Sequence, residues 1–124
     1  MIHLDTSFLI RALIQGTPED RTLRRWISGG EQLGISAVAW TEFQCGPLMP
    51  AELATVAAII TNHLPFTKND AEAAARLFNE SGRRRGSLID CMIASAALGD
   101  DAAVATANPA DFERLQPFGV TIAA

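Results

Sequence analysis

The feature that most constrains the fold is a change of hydrophobic pattern near the amino terminus. Residues 2–4 form a short apolar run typical of a buried strand, whereas Phe8, Leu9 and Leu13 recur at helical spacing. The change falls at Asp5, so we expect this acid at the carboxyl end of a strand. In open parallel sheets that edge carries the ligand-binding crevice, and the following helix presents its positive end there. Asp5 is therefore the first candidate site residue.

Asp5 and Thr6 also have a purely structural interpretation. Asp, Thr and Ser are the side chains preferred immediately before a helix, where an oxygen accepts a hydrogen bond from an otherwise free amide. Considered alone, helix capping is the more common role for such residues. The functional interpretation of Asp5 therefore depends on where the other acids of the chain are expected.

Strands and helices alternate along the rest of the chain. Short apolar runs bounded by turn residues predict strands at residues 33–36, 102–106 and 119–122. Helical periodicity and start signals, among them the capping residues Thr17 and Ser36, predict the helices between them, including one over residues 50–63. This order predicts an α/β fold in which helices cover both faces of a parallel sheet. A length of 124 residues suits one domain, over residues 1–124.

Three further acids lie next to predicted strands or inside apolar helices. Glu42 is the one charge in the helix after the second strand, although a solvent-facing position explains it equally well. Asp90 lies near the start of a helix that is apolar on nearly all sides, where Ser87 and Asp90 also resemble a capping box. Asp111 occupies the third position of the helix expected after Asn108, and capping alone accounts for it.

These acids are expected to converge because the carboxyl ends of parallel strands share one edge of a sheet. Carboxylates in a partly dry cleft repel one another, which favours protonation of one of them or binding of a cation. Oxygen ligands without His or Cys select hard ions such as Mg²⁺ or Mn²⁺. Such a site suits phosphodiester hydrolysis. The candidates are Asp5, Glu42, Asp90 and Asp111, and the polar neighbours that orient a phosphate or water, or serve as caps, are Thr6, Ser7, Thr106 and Asn108.

Composition limits the partners and the compartment. The net charge of −4 and the pI near 5.0 argue against a broad electrostatic grip on nucleic acid, but not against nucleic acid as a substrate. A run of arginines, Arg83-Arg84-Arg85, can form a local phosphate-binding rim or a solvated loop. Cys45 and Cys91 lack ligand spacing and are expected to be reduced core or near-core thiols. Without a signal peptide or membrane span, the chain is expected to be cytoplasmic.

In their order along the chain, the motifs resemble those of the PIN-domain family, and of its VapC-type toxins of bacterial toxin–antitoxin pairs in particular. The matching segments are Asp5-Thr6-Ser7, Glu42, Asp90 before Ile93-Ala94, and Thr106-x-Asn108-x-x-Asp111-Phe112. The resemblance implies a three-layer α/β/α domain with a central, mainly parallel sheet. It also implies a Mg²⁺- or Mn²⁺-dependent endoribonuclease, usually a homodimer, that a small antitoxin holds inactive. By position, its acidic site is Asp5, Glu42, Asp90 and Asp111.

Other functions share parts of this pattern. A PIN-like fold that binds RNA or a partner protein without cutting is the main alternative, although such a module is expected to lack one or more of the four acids. A phosphatase of the haloacid dehalogenase type also begins with a strand and an Asp, but it needs a second Asp where this chain has Ser7. The presence of all four acids favours catalysis.

Overall fold

The structure, a computed structural model, describes residues 1–123; the final residue of the domain expected over residues 1–124 lies outside the described residues. Within them, four parallel strands form one sheet: β1 (Ile2–Leu4), β2 (Leu33–Ser36), β3 (Asn62–Leu64) and β4 (Ala103–Ala105). Their order across the sheet is β3-β2-β1-β4. Helices flank this sheet in a three-layer α/β/α arrangement, which confirms the predicted fold class.

The helices begin largely where the sequence signals predict. The amide of Asp20 donates a hydrogen bond to the hydroxyl of Thr17 at 3.0 Å. The amide of Ala39 donates one to the hydroxyl of Ser36 at 3.1 Å. These caps satisfy amides that a helix start leaves free. The helices are α1 (Thr6–Ala12), α2 (Pro18–Ser28), α3 (Ala37–Gln44), α4 (Pro50–Ile59), α5 (Lys68–Glu80), α6 (Leu88–Gly99) and α7 (Ala110–Glu113), followed by a 3₁₀ turn at Gln116–Phe118.

The helix predicted over residues 50–63 is too long. It ends at Ile59, Ile60 turns extended, and residues 62–64 form β3, in which His63 pairs with Ile35 of β2. Spacing alone does not separate a helix end from a short apolar strand, because both place apolar residues a few positions apart. Pairing with β2 decides the outcome, and His63 packs edge-on against Trp40 at 4.9 Å between ring centroids.

The strand predicted over residues 119–122 is reduced to one parallel bridge between Val104 and Ile122. Gly119 adopts a left-handed backbone conformation, with φ of 103°, immediately after the 3₁₀ turn. Pairing with β4 therefore begins only at Thr121. The backbone of Thr121 and Ala123 hydrogen-bonds to Val104. The prediction of a strand over residues 119–122 is therefore wrong in its length.

Helix α6 lies at the centre of the fold. It contacts α3, α5, α7, β2 and β4, and most of its residues between Cys91 and Ala97 are buried. This burial confirms the prediction from its apolar composition. Because α6 is held from several sides, its first turn has a defined position relative to the carboxyl ends of β1 and β4. None of the helices within residues 1–123 is both long and apolar enough to cross a membrane.

Candidate active site

The four candidate acids line one cavity of about 560 Å³. Asp5 follows β1 directly, Glu42 belongs to α3, Asp90 lies in the first turn of α6, and Asp111 belongs to α7. The parallel sheet brings the ends of β1 and β4 together, and α3 and α6 pack beside them. Residues as far apart in the chain as Asp5 and Asp111 therefore share one wall.

The four carboxylates differ in their exposure to solvent. Asp5 is 5% exposed, whereas Asp90 and Asp111 are half-buried. Glu42 lies on the exposed face of α3, as the solvent-facing interpretation predicts, yet this face borders the cavity. The acids that line the cavity thus range from buried, at Asp5, to exposed, at Glu42.

Asp5 precedes α1, but its side chain does not cap that helix. Its Oδ2 accepts hydrogen bonds from the hydroxyl of Ser7 at 2.7 Å and from that of Thr106 at 2.9 Å. No donor within residues 1–123 hydrogen-bonds to its Oδ1. Capping therefore does not explain Asp5, whose carboxylate is oriented by two hydroxyls from separate segments.

The loop after β4 is tied to the same two hydroxyls. The amide of Ala107 donates to Ser7 Oγ at 3.1 Å, and the amide of Asn108 donates to Thr106 Oγ1 at 3.0 Å. Ser7 and Asn108 line the cavity. Thr106 is buried and does not line it, but its hydroxyl hydrogen-bonds to Asp5, which does. Thr6 also lines the cavity, but its hydroxyl donates to the carbonyl of Ala39 and so joins α1 to α3.

The capping interactions that the sequence allowed at Asp90 and Asp111 do not form. Ser87 uses its hydroxyl to donate to the carbonyl of Arg84 at 2.6 Å and makes no cap with α6. Helix α7 likewise begins without a side-chain cap, with the amide of Asp111 bonded to the carbonyl of Asn108. Both acids therefore lack the structural role that their positions in the sequence allowed.

The electrostatics of the cavity act most strongly on Asp90. Burial raises the pKa of this carboxyl to about 6, and the negative charges of Asp5, Asp111 and Glu42 contribute to the same shift. The positive charge of Arg114 opposes it. A raised carboxyl pKa among other acids indicates negative charge that the protein itself does not neutralise.

The donor set fits a hard divalent cation, although the acids are not drawn together around one point. Among residues 1–123, no three His, Cys, Asp or Glu side chains are arranged to hold an ion as they stand. Mg²⁺ is commonly held by one or two carboxylates and keeps several waters, so a close cage is not required. Oxygen ligands and unbalanced negative charge both match Mg²⁺ or Mn²⁺.

The two thiols differ from each other. Cys91 is buried, as expected, and burial raises the pKa of its thiol. Cys45 is exposed on the wall of the acidic cavity, so its prediction as a core or near-core residue is wrong. It follows the last residue of α3, and the apolar periodicity of that helix does not continue to it.

Arg114 is a neighbour of the site that the sequence did not single out. It follows α7, its charge acts on Asp90, and its Nη1 donates to Ser81 Oγ at 3.4 Å. An isolated arginine after a short helix carries no local signal of function. Its three-dimensional position alone distinguishes it.

Comparison with known proteins identifies the family. The family described as PIN domain matches residues 2–116, nearly the whole chain. A search of curated proteins finds no match.

Solved structures with the same fold include several toxin–antitoxin proteins. VapBC2 from Rickettsia felis, bound to a DNA fragment from its promoter, is 19% identical over 98% of this chain and 97% of that one, with a TM-score of 0.77. DNA-bound VapBC from Salmonella typhimurium is 23% identical over 98% and 95%, with a TM-score of 0.75. The sarcin-ricin loop cleaving toxin VapC20 from Mycobacterium tuberculosis is 16% identical over 98% and 97%, with a TM-score of 0.65. At these identities the similarity establishes the fold alone.

Proposed function

The chain belongs to the PIN domain family, and we propose that it is a metal-dependent endoribonuclease, the toxin of a toxin–antitoxin pair. The observation that carries the proposal is the convergence of Asp5, Glu42, Asp90 and Asp111 on one cavity. Four carboxylates from four separate elements, three of them without a capping role, are a destabilising arrangement unless a ligand uses them.

In this proposal the four acids hold Mg²⁺ or Mn²⁺, with Asp5 and Asp90 as the main ligands. When bound, such an ion lowers the pKa of a water and stabilises the leaving oxygen during phosphodiester hydrolysis. The hydroxyls of Ser7 and Thr106 keep Asp5 oriented by occupying its Oδ2. Asn108 is exposed on the cavity wall, and its side-chain amide is assigned to a phosphate oxygen of RNA.

The proposed partners follow from the family and its relatives. The relatives from Rickettsia felis and Salmonella typhimurium are toxin–antitoxin complexes, and VapC20 is a cleaving toxin. We assign to this chain a small antitoxin that inhibits it, RNA as its substrate, a homodimeric state and a cytoplasmic location. These assignments rest on the resemblance and are open to test separately from catalysis.

An inactive PIN-like module that binds RNA or a protein is the second candidate. One observation favours it: within residues 1–123 the acidic side chains are not gathered into a ready metal cage. The retention of all four acids and the shifted pKa of Asp90 favour the nuclease instead.

A cleavage assay separates the two candidates. Purified protein, free of any co-purified partner, is incubated with a mixed, structured RNA in Mg²⁺ or in EDTA, beside the variant Asp5→Asn. Glu72→Gln, a change of an exposed acid on α5, is the matched control. If the chain is a nuclease, cutting requires both Mg²⁺ and Asp5, and the Glu72→Gln variant cuts like the wild type. A folded protein that cuts none of the RNA in any divalent ion supports the binding module.

A further inference from the structure

A second, smaller cavity adjoins the acidic one at the start of α6. Its volume is about 110 Å³, several times the roughly 10–15 Å³ that one water needs. Gly86, Asp90 and Asp111 line both cavities, so the two share a wall. We call the smaller cavity the arginine pocket, because its other charged lining residues are Arg84, Arg85 and Arg114.

The charges of the two cavities are opposite in balance. The acidic cavity is lined by four acids and by no Lys or Arg. The arginine pocket sets three arginines against the two acids on the shared wall. Within residues 1–123, none of these three arginines forms an ion pair with a carboxylate. Their positive charge is thus available to an anion in the pocket.

Arg114 has a buried donor without an acceptor. Its Nε is shielded from solvent and finds no hydrogen-bond partner within residues 1–123, and its Nη1 makes only the long hydrogen bond to Ser81. A buried donor left unpaired costs free energy, and the cost is larger for a charged group. Because Arg114 lines the pocket, an oxygen atom that enters it meets this guanidinium group.

The arginine run divides into two parts with different surroundings. Arg83 is already engaged: its Nη1 donates to Asn79 Oδ1 at 2.5 Å, and its guanidinium lies 5.5 Å from the centre of the Phe78 ring. Arg84 and Arg85 are exposed and line the pocket instead. The loop therefore anchors one arginine on α5 and presents the next two to the arginine pocket.

We propose that the arginine pocket binds a backbone phosphate of single-stranded RNA, next along the strand to the phosphate that is cut. The inference deepens the proposed function and rests on it. Guanidinium groups match the geometry of phosphate oxygens and bind them through two donors at once. Because the two cavities share the wall formed by Gly86, Asp90 and Asp111, a strand with one phosphate in the acidic cavity has its next phosphate beside the pocket. Phosphate binding of this kind fixes the register of a strand without reading its sequence.

The test measures RNA binding apart from cutting. In the Asp5→Asn background and in EDTA, a labelled single-stranded RNA of roughly ten nucleotides is titrated at several NaCl concentrations. The double variant Arg84→Gln/Arg85→Gln is expected to bind about tenfold more weakly. The slope of log affinity against log salt should fall by about 0.7 for each phosphate that the variant no longer neutralises. Arg83→Gln is the matched control and is expected to keep both the affinity and the slope.

A second readout follows the arginine directly. The Nε–H signal of Arg114 in ¹H–¹⁵N spectra is expected to shift with RNA and not with inorganic phosphate at the same phosphate concentration. Equal shifts with inorganic phosphate would overturn the inference in favour of a pocket for free anions. Equal binding by the double variant and by Arg83→Gln would also overturn it.

The outcomes keep this inference apart from the proposed function. If the wild-type protein cuts RNA and the double variant binds RNA normally, phosphate binding by the arginine pocket is rejected and the nuclease function is kept. If the protein binds RNA through the arginines and never cuts it, the nuclease function is rejected and RNA binding by the pocket is kept.

Discussion

The hydroxyl of Thr106 donates a hydrogen bond to Oδ2 of Asp5 across 2.9 Å, although the two residues are 101 positions apart. The bond joins the carboxyl ends of β1 and β4, which are neighbours in the sheet. A second link lies beside it, since the amide of Asp5 donates to the carbonyl of Ala105 at 2.9 Å. The orientation of the most buried acid in the cavity therefore depends on the strand at the other end of the chain.

Thr106→Val removes this hydroxyl while keeping the shape of the side chain. We expect the Mg²⁺ concentration for half-maximal cleavage to rise by about 10–100-fold, the usual effect of losing a group that orients a metal ligand. The free energy of unfolding should fall by about 1–3 kcal/mol, because the amide of Asn108 also loses its acceptor. Metal titrations of the cleavage rate and urea unfolding measure the two effects.

The control for Thr106→Val is Thr55→Val, which removes an exposed hydroxyl bonded only to the carbonyl of Ala51 in α4. Cleavage by Thr106→Val that recovers fully at high Mg²⁺ identifies Thr106 as a positioning residue. Unchanged Mg²⁺ dependence would show that Asp5 needs no support from β4.

Asp90→Asn is expected to lower the cleavage rate by at least about 100-fold at saturating Mg²⁺, because it removes a proposed metal ligand. The fold should be preserved, since Asp90 makes no capping bond in α6. Single-turnover cleavage and circular dichroism test both statements. Glu80→Gln, at the exposed end of α5, is expected to cut at the wild-type rate. Wild-type cutting by Asp90→Asn would show that the site is wrongly assigned.

The same variant is expected to stabilise the protein in a pH-dependent way. The pKa of Asp90 is about 6 when folded, against an ordinary 3.8, so between about pH 4 and pH 6 the folded protein holds more protons than the unfolded chain. Wild-type stability contributed by Asp90 is therefore lost as the pH rises through this window. Allowing for solvent screening of a half-buried group, we expect Asp90→Asn to gain roughly 1 kcal/mol, or about 3–5 °C in Tm, above pH 6.

Thermal unfolding in EDTA from acid to neutral pH measures this gain against wild type. The comparison cancels titrating groups that do not interact with Asp90, including His3, whose pKa is lowered by burial. Glu72→Gln, which alters an exposed acid, should show no such trend. A gain for Asp90→Asn that is as large below pH 4 as at neutral pH would contradict the assignment, because the native carboxyl is then already protonated.

Ile93→Asp is expected to unfold the protein, because Ile93 is 1% exposed in the centre of α6. An unpaired carboxylate there costs several kcal/mol, a large part of the roughly 5–15 kcal/mol that holds a domain together. Leu88→Asp, at the start of the same helix, is the matched control because Leu88 is 48% exposed and lines neither cavity. Its Tm should change little. Similar losses in both variants would show that α6 tolerates no charge on either face.

Some of the fold follows from local sequence alone. The change of pattern at Asp5 predicts β1 and α1, and Thr17 and Ser36 predict where α2 and α3 begin. The apolar composition of α6 predicts its burial. These features depend on side chains a few positions apart, whose preferences act before the chain has folded.

Other features depend on pairing that spacing does not encode. The pattern of residues 62–64 predicts the end of a helix, yet they form β3 because β2 offers backbone partners there. The last predicted strand is reduced to one bridge at Ile122, because the 3₁₀ turn and the left-handed Gly119 occupy the residues up to its predicted start. Local patterns of apolar residues are compatible with both outcomes in each case.

The candidate site shows the same division. The sequence by itself determined the chemical types, four acids with hydroxyls beside them, and their positions near strand and helix ends. Only the tertiary structure decided that Asp5 does not cap α1, that Glu42 faces the cavity from an exposed helix face, and that Arg114 lies beside Asp90. The reason is physical: side-chain direction and long-range proximity are set by how helices pack on a parallel sheet, and no residue's near neighbours carry that information.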